Sequence, residues 1–484
     1  MTDIRGQLAA LKADDVPIHG GRTLAYVYDS GIAEANRVGE EAVAAFAGSN
    51  GLDPTAFPSL LTRENTLPAQ PPARLNTIVG QALDLLDAPQ NAVGTVTSGG
   101  TESVLLAVQS ARDGVSIGSE RPNMVLPATA HAAFHKAAHY FGVEPRIVPV
   151  GADFRADPQA MAAASDANTV LFVGSAPSYA HGVIDPITEI AAIAAERGVR
   201  CHVDACIGGW VLPWKARLGH VVRPWTFAVD GVTSISVDLH KYGYTPKGAS
   251  LLLHRSPELR KSQIFASADW PGYTMLNTTM QSTKSGGPLA GAWAVLNTIG
   301  EEGYLRLTEK VLAGVDALVE GVNAIPVLSL VAQPDSTLVA FTTDDSCDVF
   351  TIADELHRAG WWTQPQLSFA GQPANLHLTL SAATDVDDFL QALGQSVQTA
   401  VTSGPVVIDE GIREFVASLD PSALSDADFD GLLAAVGMGG AAADGSVGVP
   451  DSMAEINALL DLAEPRLREA LLSAYLDRLL RPTR

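Results

Sequence analysis

The stretch SISVDLHKYGYTPKG, residues 234–248, runs a strand straight into a lysine. Ile235 to Val237 is short and apolar, and Asp238, Leu239 and His240 turn the chain into Lys241. A lysine on a structured turn behind a buried strand is held in place rather than left in solvent. Desolvation there is expected to lower its pKa and free the amine as a nucleophile toward an aldehyde. One lysine carries little weight, since most are solvated surface groups. Its meaning comes from the residues upstream.

Those residues repeat one pattern. Short apolar runs at Ala92–Val96, Met124–Leu126, Val170–Val173, Arg200–Val203, Ser234–Val237 and Ser250–Leu253 read as strands. Helical stretches around Leu75–Leu86, Ser103–Arg112 and Thr188–Arg197 separate several of them. Wholly apolar strands alternating with helices predict an α/β fold with a mainly parallel sheet sandwiched by helices. Functional groups then collect at the carboxyl ends of the strands.

This large domain is expected over residues 76–300. A helix from Glu301 to Asn323, with Val311, Val315, Leu318 and Val322 on one face, leads into a smaller α+β domain over 301–404. Residues 405–484 read as a helical extension with a Gly/Ala-rich patch, Gly437–Gly448, and a closing helix from Ser452 to Leu480. Residues 1–75, punctuated by Pro and Gly, read as an arm that lies on the main domain or on a second subunit.

Composition narrows the partners. The net charge of −23 argues against nucleic acid and anionic membranes, which need clustered Lys and Arg. Three cysteines make a disulfide scaffold implausible and point to a reducing, cytoplasmic setting. No apolar run reaches the roughly 18 residues of a membrane span, and the first residues lack the apolar core of a signal peptide.

Four pieces carry chemistry. Thr97 to Glu102, TSGGTE, is a Gly-rich turn from strand to helix; it suits a phosphate, but taken alone an ordinary turn capped by Ser or Thr is the better reading. Asp204 closes a strand, either as a structural partner or facing a protonated ring nitrogen. His131 opens a helical stretch containing His135 and His139; with no acidic residue between them a metal site is not expected, leaving ring stacking or packing. Cys206 reads as a small buried residue. No Walker loop, dinucleotide fingerprint or Ser-His-Asp triad is present. In this order, a phosphate cradle, a stacking histidine, a strand-end carboxylate and a later lysine are the equipment for holding pyridoxal 5'-phosphate.

The motifs TSGGTES (97–103), HAAFHKAA (131–138), GSAPSYAHGVIDPI (174–187), HVDACIGGW (202–210) and DLHKYGYTPKG (238–248) resemble fold-type-I pyridoxal-phosphate enzymes of the group II decarboxylase superfamily, and within it the sphingosine-1-phosphate lyase branch. GEEGY (300–304) is similar too. The resemblance implies Lys241 as the Schiff-base lysine, Asp204 as the pyridinium partner and His131 as the stacking ring. It implies Gly100, Thr101 and His240 around the cofactor phosphate, with Ser175 near the ring hydroxyl. Lys247 is implied for a substrate phosphate or the β-hydroxyl. It also implies a homodimer with the active site at the interface, to which the arm and the Thr283 region contribute, and the membrane-anchoring helix of eukaryotic lyases is not expected.

Where such lyases carry a GSRPG-like stretch this chain has Ser282-Thr283-Lys284-Ser285-Gly286, and Tyr273 to Thr279 departs from their Tyr-containing pattern. Lysine lacks the planar two-pronged grip of arginine on phosphate, so these departures bear on the substrate rather than the cofactor. The first expectation is a carbon–carbon lyase cleaving Cα–Cβ of a 2-amino-3-hydroxy compound by retro-aldol chemistry. The second is an amino-acid α-decarboxylase, disfavoured by DACIGGW and HKYGY, since decarboxylases more often place Ala-Trp after the aspartate and Trp after the lysine. The third is a pyridoxal-phosphate-binding protein without catalysis.

Overall fold

In the computed structural model the described residues are 73–115, 120–281, 284, 286–435 and 452–480. The expected arm up to residue 72, the Gly/Ala-rich patch and Thr283 lie outside them. The chain divides into two compact units: up to Tyr179 together with Val183–Glu309, and Ala180–Gly182 together with the chain from Lys310.

The first unit alternates as its hydrophobic pattern dictates. Its strands are β1 (Val93–Thr97), β2 (Asn123–Pro127), β3 (Glu144–Val148), β4 (Thr169–Ser175), β5 (Arg200–Asp204), β6 (Ser234–Asp238) and β7 (Ser250–His254), in the order β1-β7-β6-β5-β4-β2-β3. From β3 through β6 neighbours run parallel, and β7 is antiparallel to both β6 and β1. Four of these strands, β2, β4, β6 and β7, are buried at every residue, as a sheet covered on both faces requires. The mainly parallel α/β sheet is as the sequence predicts.

Helix α1 (Ala73–Leu85) precedes β1, and α2 (Gly100–Asp113) and α3 (Ala133–Phe141) follow β1 and β2. Val104, Leu105 and Val108 of α2 pack with Phe134 and Ala137 of α3 and with Met124 and Leu126 of β2 in one apolar cluster. The structure corrects the helical reading of His131, which precedes α3; His135 and His139 are exposed on it. The edge strand β3 was not anticipated, because EPRIV has a proline and only one fully buried residue.

In the second unit, β10 (Leu328–Leu330), β11 (Leu338–Thr343), β12 (Gln364–Gln366) and β13 (Asn375–Thr379) form an antiparallel sheet ordered β10-β11-β13-β12. A hairpin of β8 (Phe265–Ser267) and β9 (Met275–Asn277) belongs to the first unit. The break between units at 309/310 falls inside the helix Gly286–Asn323, beyond its kink at Gly300 (φ 60°).

The extension has its own apolar cluster, with Ile408, Val416, Phe429, Leu432, Leu459 and Leu467 buried. The closing helix is two helices, Ala454–Leu462 and Pro465–Leu479, since Pro465 cannot donate to a continuing turn. The Asp354 carboxylate starts the first of them, accepting from the Met453 amide at 3.0 Å and the Ala454 amide at 2.9 Å. Among the described residues no helix is long and apolar enough to cross a membrane.

Three buried histidines set an acid limit. Burial pushes His202 down to about 4, against the pull of Asp204; it pushes His254 to about 3 and His377 to about 4. A depressed folded-state pKa contributes stability above the unfolded value near 6.5 and loses it as pH falls toward the folded value. Burial raises Asp185 to about 6, which acts oppositely, favouring the fold most below about 4. His181 is likewise pushed down to about 4 by burial, so with four histidines against one aspartate the urea midpoint is expected to fall between pH 7 and 4.5. A midpoint that is flat over that range would contradict this.

Candidate active site

Parallel pairing gathers the strand ends. Ser175 of β4 lies opposite Asp204 of β5, and Asp204 opposite Ser236 of β6. Asp238 and Thr97, at the ends of β6 and β1, both pair with Ser250 of β7. A cavity of about 490 Å³ opens at this edge, lined by Ser98 to Glu102, His131, Ser175, Asp204, Asp238, His240, Lys241 and Lys247. Every site residue named from sequence is thus brought together, except Thr283, which lies outside the described residues.

The turn holding Lys241 is over-determined. The Tyr244 amide donates to the Lys241 carbonyl at 3.1 Å and the Thr245 amide to the Leu239 carbonyl at 3.3 Å. Any side chain at Gly243 would run into the Leu239 carbonyl oxygen. The Tyr304 hydroxyl donates to the Gly243 carbonyl at 2.8 Å, its ring stacked on Trp214 at 5.5 Å. Tyr244 accepts a left-handed φ of 55° to close the turn.

Lys241 Nζ lies 3.0 Å from Asp238 Oδ2. Here the structure corrects the expected pKa. Burial does pull the lysine down, but Cys206, Asp238 and Asp204 oppose it and the net shift is upward. Burial and the two aspartates push the Cys206 thiol well up, so it keeps its proton and the carboxylates carry the effect. The amine rests as an ammonium, because the strand end that desolvates it also surrounds it with acids.

Asp204 is buried and well served: its Oδ1 accepts from the Cys206 amide at 3.1 Å and the Ser236 hydroxyl at 3.3 Å. Burial alone would raise its pKa, but hydrogen bonds from Cys206 and the charge on Lys241 outweigh that and hold it below the usual carboxylate range. It remains charged, as a partner for a protonated ring nitrogen must.

The Gly-rich turn is not a capped turn. The N-cap of α2 is Gly99, which supplies no side-chain acceptor, so the first amides of the helix have no capping side chain. A Cβ on Gly100 would sit 2.8 Å from Asp238 Oδ2 and 2.8 Å from Cys206 Sγ, so the backbone needs glycine to approach this closely. Glu102 braces the turn, accepting from the Ser98 amide at 2.6 Å and the Met280 amide at 2.9 Å.

His131 Nδ1 accepts from the Ala133 amide at 3.1 Å, fixing the ring, which meets Tyr179 edge-on at 6.4 Å. Ser175 is buried, its amide donating to Asp185 Oδ2 at 2.8 Å. His240 Nδ1 bonds the Ala249 carbonyl at 2.8 Å; only an N–H can do so, which places a proton on Nδ1. Lys247 is exposed at the rim. Burial lowers the pKa of Lys284, against the pull of Glu102.

Sequence reasoning gave no role to Asp238, Glu102 or Tyr179. Asp238 was within reach, since it closes a buried strand just as Asp204 does.

These residues fit pyridoxal phosphate: an uncapped helix start with a glycine that admits no Cβ, an ionised carboxylate, a fixed flat ring and an amine face one cavity. A model of the pyridoxal-dependent decarboxylase conserved domain matches residues 73–344, and one of a pyridoxal-dependent enzyme C-terminal putative HTH domain matches 410–478. The chain is 40% identical over 376 residues to a sphingosine-1-phosphate lyase of Arabidopsis thaliana, covering 76% of this chain and 66% of that protein. It is 31% identical over 285 residues to a probable L-tyrosine/L-aspartate decarboxylase of Methanothermobacter thermautotrophicus, covering 59% and 76%. The chain spans two thirds or less of the plant lyases it matches, 66% and 58% of their lengths. The solved sphingosine-1-phosphate lyase of Burkholderia pseudomallei K96243 is similar at a TM-score of 0.66 and 32% identity, covering 81% of this chain and 94% of that one. The chain therefore belongs to the pyridoxal-dependent decarboxylase family, and its cofactor is pyridoxal phosphate.

Proposed function

We propose that the protein is a carbon–carbon lyase that splits the Cα–Cβ bond of a 2-amino-3-hydroxy substrate, phosphorylated on its head, into an aldehyde and an amine. The observation that carries this reading is the likeness to sphingosine-1-phosphate lyases at 40% and 32% identity, which in the solved case extends over 94% of the relative. Decarboxylation of an amino acid is the second reading, supported by the family model and by the likeness to the archaeal decarboxylase.

When bound, pyridoxal phosphate supplies an electron sink beside the substrate Cα. The chain supplies the rest. Gly99, Gly100 and Thr101 would present the uncapped start of α2 to the phosphate, with His240 in the same lining beside Gly99. Asp204 would hold a proton at the ring nitrogen, and His131 would pack on the ring face. Lys241 would provide the amine, and Ser175 would stand on the ring-hydroxyl side. Lys247 at the rim takes the substrate's own phosphate or acts beside its β-hydroxyl.

The reading includes a cytoplasmic homodimer with the active site at its interface, to which Thr283 contributes. Phe265, Tyr273 and Leu276 of the β8–β9 hairpin, 58%, 73% and 73% exposed, are apolar surface that a second subunit would cover.

Lys241→Ala is expected to abolish the borohydride-fixable visible band of the purified protein. Gly100→Ala should weaken cofactor binding about 10- to 100-fold, by forcing a methyl against Asp238 and Cys206. Incubation with sphingosine 1-phosphate should yield fatty aldehyde and phosphoethanolamine. Carbon dioxide from amino acids alone would replace this with the decarboxylase reading, and cofactor binding without turnover across a broad amine panel with a non-catalytic one. Lys247→Met is expected to raise KM for a phosphorylated substrate far more than it lowers kcat; an equal fall in kcat would move Lys247 to the β-hydroxyl.

A further inference from the structure

We infer that Asp238 is a proton relay between Lys241 and His240: it holds the lysine as an ammonium until a phosphate occupies the cradle, then passes that proton to His240 Nε2. This rests on the assignment of pyridoxal phosphate as cofactor and goes beyond it.

One oxygen faces both partners. Asp238 Oδ2 is 3.0 Å from Lys241 Nζ and 3.6 Å from His240 Nε2, and the residue is 2% exposed. Among the described residues Oδ1 accepts no hydrogen bond. Both oxygens lie within 2.9 Å of where a Cβ on Gly100 would stand, so the carboxylate sits directly beneath the cradle.

A buried carboxylate in that place needs a cation. In the resting site the cation is Lys241. The lysine has to shed a proton before it can act as a nucleophile, and Asp238 would then face the arriving phosphate with no counter-charge. His240 is built to take over. Its Nδ1 proton is committed to the Ala249 carbonyl at 2.8 Å, so the nitrogen turned toward Asp238 is the one that can gain a proton. A proton gained there makes an imidazolium that donates to the phosphate and balances Asp238.

The other groups around the cavity are occupied. Asp204 accepts from Cys206 and Ser236, Glu102 from the Ser98 and Met280 amides, and His131 Nδ1 from the Ala133 amide. The Cys206 thiol, pushed well up by burial and then by Asp204 and Asp238, keeps its proton. The transfer balances: Lys241 goes from ammonium to amine, His240 from imidazole to imidazolium, and Asp238 is a carboxylate before and after.

The test is nitrogen-15 NMR of full-length, histidine-labelled protein freed of cofactor, with and without inorganic phosphate at neutral pH. His240 is assigned by loss of its signal in His240→Gln. Phosphate is expected to move its Nε2 from the unprotonated to the protonated range in wild type but not in Asp238→Asn. In the same variant the pH midpoint for capture of added pyridoxal phosphate, read as the visible band, should fall by about 1–3 units, because Lys241 loses the carboxylate that keeps it charged. An Nε2 that stays bare in phosphate-bound wild type overturns the relay whether or not the variants fold. An unchanged midpoint in a folded Asp238→Asn overturns it independently. Wild type that captures no pyridoxal phosphate at all overturns the cofactor assignment along with the relay.

Discussion

Two carboxylates, Asp204 and Asp238, end neighbouring strands of a buried sheet, and one ammonium 3.0 Å from Asp238 faces them both. Buried acids of this kind persist only when hydrogen bonds and counter-charges offset their lost hydration. Asp204 is satisfied locally, by Cys206 on its own loop and Ser236 on the next strand. Asp238 is satisfied by charge, through Lys241. The rest of the site is the set of constraints that keeps this arrangement from relaxing.

Those constraints come from unlike sources. Parallel pairing of β4, β5 and β6 fixes the depth of the two acids. The antiparallel return of β7 fixes His240, since the Ala249 carbonyl that orients its ring immediately precedes that strand. Gly243 and Tyr304 hold the turn between them, and Glu102 and Gly100 hold the helix start against Asp238. Around the lysine turn and the cradle, strain and exclusion fall on Gly100, Gly243 and the left-handed Tyr244.

What the sequence revealed follows from the range of each interaction. The large sheet was legible because burial on both faces writes continuous apolar runs, and the motifs fall at the ends of those runs. The edge strand β3 was not, since half-exposed EPRIV makes no such run. The site's members were legible as residue types in order, and the glycine requirement at position 100 could be guessed from TSGGTE. The charge state of Lys241 was not. Burial was visible as a strand-turn-lysine pattern, but the answer depended on the distance from Nζ to an acid three residues back, which sequence order alone does not set. The same blindness hid Asp238 itself: two strand-end aspartates look alike until one is found hydrogen-bonded and the other paired with a cation.

The residues that hold the cofactor cannot by themselves choose the bond that breaks. Asp204, His131, Lys241 and the cradle would serve loss of a carboxylate and loss of an aldehyde equally, since both leave electrons at the same carbon. Selection belongs to whatever turns one substituent of Cα perpendicular to the ring and offers it an acid, a base or a counter-charge. In this chain a group placed to do so is Lys247, exposed among the residues that line the cavity. Lys284 stands where the resemblance leads one to expect arginine. An ammonium binds phosphate as a point charge, without the directional fork of a guanidinium. If the substrate carries a phosphate, as proposed, an ammonium at position 284 would hold it by charge more than by shape.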